Sequence, residues 1–143
     1  MEVQKNGIDI IVDFDGTCVT HEYPKVGSDI GAQRVLKKLV AAGHNLVLFT
    51  MRSDGAISDN KFGTPHGLTD AVNWFAENDI PLYGIQTNPT QSNWTTSPKA
   101  YGQLIIDDAA LGCPLRQAAT AGGRPFVNWA RVEEMLYGLG ILK

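Results

Sequence analysis

The chain has 143 residues, 43% of them hydrophobic and 19% charged, with a formal net charge of −3. That length suits one domain with most of a core. The acidic balance excludes a broad basic surface of the kind that holds long nucleic acid by counterion release. No apolar run approaches the roughly 18–20 residues that a bilayer span needs. The opening Met1-Glu2-Val3-Gln4-Lys5-Asn6-Gly7 has no apolar signal core behind it, so a cytoplasmic location with no membrane partner is expected. Cys18 and Cys113 form no C-x-x-C pair and are too few for a disulfide framework. Both are expected to be reduced.

Ile8 to Val12 is a short apolar run that stops at Asp13-Phe14-Asp15-Gly16-Thr17. A β-branched run closed by a turn signal predicts a buried strand. A short flap, Cys18 to Asp29, leads into an apolar stripe of Val35, Leu36, Leu39 and Val40, with Gly43 placed to cap a helix C-terminus. Leu46-Val47-Leu48-Phe49 repeats the strand design and ends in Thr50. After a polar loop from Ser53 to Gly63, Leu68, Ala71, Val72, Phe75 and Ala76 follow helical spacing. Leu82 to Ile85 is a weaker strand candidate. A second polar loop, Thr87 to Ser97, contains Trp94. Leu104-Ile105-Ile106 is a third strong strand, ending in Asp107-Asp108. Pro125 to Val127 is another weak strand, before a helix carrying Val132, Met135, Leu136 and Leu139, with Asn128 as N-cap.

Strands alternating with helices predict right-handed crossovers and a parallel sheet covered on both faces, a three-layer α/β/α sandwich. In such sheets ligands bind beyond the carboxyl ends of the strands. Here three strands end in Asp, Thr and Asp-Asp. Side chains two apart on an extended segment share a side, so Asp13 and Asp15 are expected to face one spot while Phe14 packs away from it. Carboxylates held this close repel unless a cation intervenes. Magnesium takes hard oxygen ligands together with substrate phosphate and water, and Asp107-Asp108 offers a second acidic pair.

From Ile8 to about Val127 these motifs, in this order, resemble those of the haloacid dehalogenase-like hydrolase superfamily. The resemblance implies a single Rossmann-like domain over residues 1–143, without a large cap, and the activity of a Mg2+-dependent phosphatase. In that family the position of Asp13 is the nucleophile that forms an aspartyl-phosphate. The position of Asp15 is the general acid and then the base, and its presence points to the phosphatase and phosphotransferase branches. Thr50 matches the hydroxyl donor to the phosphoryl oxygen, and Lys99 matches the lysine that offsets negative charge. Related sequences often read Lys-Pro at that motif; here the order is Pro98-Lys99, and Lys61 is the alternative. Asp13, Asp15, Asp107 and Asp108 are the expected metal ligands, and Gly16, Thr17 and Arg52 the expected substrate contacts. His21, Tyr23 and Lys25 read as ordinary flap surface.

An open, capless site suits a large substrate, or else a neighbouring subunit closes it in a homo-oligomer; the expected partner is a phosphorylated small molecule or the terminal phosphate of a larger one. A signalling receiver domain carries similar residues in a different order, with its acidic pair first. A phosphomutase or phosphotransferase, and a catalytically silent binding protein on the same fold, are the remaining alternatives.

Overall fold

Four short parallel strands form the centre: β1 (Asp9–Val12), β2 (Asn45–Leu48), β3 (Gly84–Ile85) and β4 (Leu104–Ile106), in the order β3-β2-β1-β4. The computed structural model describes residues 7–55, 63–118 and 123–143. Ile11 of β1 lies opposite Val47 on one side and Ile105 on the other. The two-residue period of a strand then divides the apolar run between two faces. Ile10, Val12, Leu46, Leu48 and Ile106 belong to the main core, and Ile11 and Val47 to a smaller cluster behind it.

Helices α1 (Ala32–Ala41), α2 (Gly67–Glu77) and α3 (Trp129–Gly138) all feed the main core. α1 buries Ala32, Val35, Leu36 and Leu39, and α2 buries Gly67, Ala71, Trp74 and Phe75. α3 adds Trp129, Val132 and Leu136. Right-handed crossovers from β1 to β2 and on to β3 run in one direction, which places α1 and α2 on the same face. Both expected caps are present. Gly43 adopts φ 93° just past α1, and the Asn128 side chain accepts from Arg131 N at 3.1 Å. Phe14 packs edge-on against Trp74 with centroids 5.7 Å apart, and Phe75 closes the trio. Burying each such ring stabilises the fold by about 2–3 kcal/mol.

The return from β3 to β4 passes back across β2 and β1, so the same handedness carries it over the opposite face. This outer layer is irregular, with a single 3-10 turn at Gln91–Asn93. Buried Gln91 organises it, accepting from Asn88 N and Tyr101 N and donating to Ser97 O and Lys99 O. Asn88 ties the layer to the start of β1 through a 2.9 Å bond to Asp9. Gly102 is required where the layer meets the sheet, because a Cβ there would lie 2.9 Å from both Asp9 O and Ile11 Cγ1.

The result is the expected three-layered α/β arrangement about a parallel sheet. Among the described residues no cap domain is inserted. The weak strand expected at Leu82–Ile85 contracts to Gly84–Ile85. That at Pro125–Val127 forms β6 (Phe126–Val127), which pairs antiparallel with β5 (Leu115–Arg116) outside the central sheet. Cys18 and Cys113 are free thiols. Among the described residues no helix is long and apolar enough to cross a membrane.

Candidate functional site

Asp13 extends β1 by one ladder bond, its N–H donating to Ile106 O at 3.1 Å. The chain then curls: Thr17 N and Cys18 N both donate to Phe14 O, at 3.1 and 2.7 Å. Gly16 sits at φ 78°. That backbone angle calls for glycine, and a Cβ there would also have to push aside the His21 ring and the Asp108 carboxylate.

This turn brings together three of the four expected acids. Asp13, Asp107 and Asp108 each place a carboxylate oxygen within 4.8 Å of the others. The Thr17 hydroxyl stands between two of them, 2.9 Å from Asp13 Oδ2 and 3.2 Å from Asp108 Oδ1, and accepts from Asp108 N at 3.0 Å. With one proton it donates to one carboxylate at a time. His21 Nε2 lies 3.2 Å from Asp108 Oδ2 and 3.1 Å from Pro125 O. Asp107 Oδ1 accepts from Ala109 N at 2.8 Å. Burial, then the hydrogen bond shared with Asp108 and the charge of Asp107, pushes the Asp13 carboxyl up to about 8; the Thr17 hydroxyl and the Phe14 N–H work the other way. Three hard oxygen donors under mutual repulsion are a donor set that suits a small divalent cation.

The Asp15 carboxylate, expected among the metal ligands, is not brought into this cluster. The two-residue rule holds only on extended backbone, and the chain has already left β1 when it reaches Asp15. Arg52 claims it instead, with Nε 2.7 Å from Asp15 Oδ2 and Nη2 2.8 Å from Oδ1. Arg52 also donates to Lys25 O at 2.8 Å and Gly67 O at 3.3 Å, with a long contact of 3.5 Å to Pro24 O. The Phe14 and Tyr23 rings cover the guanidinium, with centroids 5.1 and 4.9 Å away. All five of its N–H donors are thereby spent, and its side chain is 1% exposed. Arg52 therefore does not present itself to a substrate, contrary to the expectation from sequence.

Thr17 and Gly16, expected as substrate contacts, are buried as well; they shape the acidic cluster from beneath. Thr50 stands half-buried past the end of β2, its hydroxyl accepting from Arg52 N at 3.1 Å and its backbone clamped to Gln86 by bonds of 2.8 and 2.7 Å. Lys99 is exposed and precedes β4, whereas the acids follow it. Among the described residues Lys99 makes no ion pair with the cluster. Lys61 lies outside the described residues. His21 is the group that sequence reasoning underrated: its side chain is 13% exposed and faces Asp108. No spacing signals this, because the contact depends on how the flap folds back over Gly16.

No family model matches the chain, and no curated protein matches it. It is similar to a solved structure, that of a conserved protein coded by a locus of Bacteroides thetaiotaomicron. The two share 29% identity over 94% of this chain and 93% of that one, with a TM-score of 0.66. The similarity in fold therefore runs nearly end to end in both chains.

Proposed function

We propose that the chain is a Mg2+-dependent phosphatase that hydrolyses a phosphomonoester through an aspartyl-phosphate on Asp13. The observation that carries this reading is the convergence of Asp13, Asp107 and Asp108 at the carboxyl edge of the sheet, with Asp15 held separately beside them. Asp13, Asp107 and Asp108 are the residues to hold the cation. When bound, it would offset the repulsion that pushes Asp13 up and screen the charge of an incoming phosphoryl group.

In the first step an Asp13 carboxylate oxygen attacks phosphorus, the ester P–O bond breaks, and Asp15 gives a proton to the departing alkoxide. In the second, water attacks the phosphorus of the acyl phosphate, its proton passes to Asp15, and phosphate leaves as the Asp13 carboxylate is restored. Thr17 and His21 keep Asp13 and Asp108 in place through both steps.

The test is turnover of a generic aryl phosphate with Mg2+ and with chelator, by wild type and Asp13→Asn. Wild-type turnover that needs Mg2+ and falls to background in the variant is the expected outcome. Turnover by Asp13→Asn near the wild-type rate refutes the assignment.

One observation favours a second reading, a phosphate- or cation-binding protein without turnover. Among the described residues Lys99 makes no ion pair with the acids, so the lysine that the family places against the phosphoryl group has no described counterpart here. Mg2+ binding with no hydrolysis across a panel of phosphomonoesters selects that reading.

A further inference from the structure

We infer that Arg52 is the positioning residue for Asp15, and that it makes proton delivery depend on the placement of the flap. This deepens the reading above and rests on the acid–base role that it gives Asp15.

Arg52 takes one acceptor position on each Asp15 oxygen. A carboxyl group has about four such positions, one of which holds the proton when the group acts as acid, and the Asp15 side chain stays 21% exposed. The group is therefore held firmly on one side and open on the other. A planar fork bound to two oxygens admits a single orientation of the carboxylate plane, which one ammonium contact does not impose.

The rest of the guanidinium is spent on elements far apart in sequence. Lys25 O and Pro24 O belong to the flap, and Gly67 is the first residue of α2. Tyr23, also on the flap, covers one side of the guanidinium. The flap is itself stapled at its base, with Thr20 N donating to Ser28 O at 2.9 Å. One side chain thus joins the turn after β1, the flap and the start of α2. Displacing the flap removes acceptors from Arg52 and loosens its hold on Asp15.

The experiment compares wild type, Arg52→Lys and Arg52→Gln on two phosphomonoesters that differ in leaving group. An activated aryl phosphate releases a phenolate that departs without a proton; an alkyl phosphate releases an alkoxide that does not. kcat/KM reports the step in which the ester bond breaks. Arg52→Gln is expected to lower kcat/KM about 100-fold on the alkyl ester and about tenfold less than that on the aryl ester. Arg52→Lys should fall between, and in both variants the loss should lie in kcat with KM held. Equal losses on the two esters would overturn the inference, since they report a general structural role. So would a raised KM with kcat intact, which reports a substrate anchor.

If wild type turns over neither ester, the phosphatase reading fails, yet the link from Asp15 through Arg52 to the flap is still decided. Amide hydrogen exchange over residues 20–28 in the full chain should then be faster in both Arg52→Gln and Asp15→Asn than in wild type. Unchanged exchange in the two variants overturns the link.

Discussion

Two arrangements of charge lie side by side at the carboxyl edge of the sheet. Where β1 meets β4, three carboxylates crowd together, steadied by the Thr17 hydroxyl and the His21 ring, and Asp13 is pushed up to about 8. Two residues further on, toward β2, Asp15 is matched at both oxygens by Arg52, whose side chain is sealed between two aromatic rings. The first arrangement is short of positive charge; the second is complete. A divalent cation therefore has much to gain at the first and little at the second, where it would have to displace a desolvated guanidinium from its partner. The five-residue motif Asp13–Thr17 thus contributes one carboxylate to each of two unlike charge arrangements.

Thermal stability offers the first way to break this comparison. A ligand present at 100 times its Kd stabilises the native state by about 2.7 kcal/mol, a rise of roughly 5–10 °C in Tm for a domain of this size. Wild type is expected to show such a rise with Mg2+ over chelator, Asp107→Asn to lose most of it, and Arg52→Lys to keep it. Thermal scans in both conditions check this. An equal rise in Asp107→Asn would dissolve the distinction between the two arrangements.

The second effect is on pH dependence. A carboxyl whose folded value is raised binds its proton more tightly when native, so its contribution to stability is whole below the unfolded value of 3.8 and is lost as pH climbs toward about 8. Without metal, Asp13 should therefore make the fold less stable across that window. For one proton the slope is at most about 1.4 kcal/mol per pH unit. Denaturant unfolding at several pH values, in chelator, should show the fall in wild type and its absence in Asp13→Asn. Mg2+ should flatten it too. A slope shared by both proteins assigns the effect elsewhere.

Much of this edge was legible from sequence because it depends on neighbours close in the chain. The run Ile8–Val12 and the Asp-Phe-Asp-Gly-Thr that ends it mark a buried strand and a turn, and the periodic stripe of Val35, Leu36 and Leu39 marks the buried side of α1. The strand ends with Asp13, Thr50 and Asp107 followed from topology alone. The rest depends on contacts between distant segments. Arg52 looked like a substrate contact, since nothing near Met51 says that the flap backbone, some 27 residues earlier, waits for its donors. Lys99 fitted the order of motifs, but order does not say whether the segment before β4 carries its side chain to the acids. The layer over Ile11 and Val47 read only as polar loop, because the bonds that hold it converge on the single side chain of Gln91.

The smallest effect sharpens the comparison from inside the acidic cluster. The Thr17 hydroxyl serves two carboxylates and the Asp108 N–H from a fully buried position. Thr17→Val keeps the shape and removes those bonds, which should lower the free energy of unfolding by about 1–2 kcal/mol in chelator. Thr17→Ser retains the hydroxyl and should recover most of that loss. With Mg2+ present the deficit of Thr17→Val should narrow, because the cation supplies the charge that Asp13 and Asp108 lack. It should not vanish, because the Asp108 N–H still has no acceptor. Denaturant titrations of the three proteins with and without Mg2+ separate these contributions, and a Thr17→Val protein as stable as wild type in chelator would mean that the hydroxyl does not hold the cluster together.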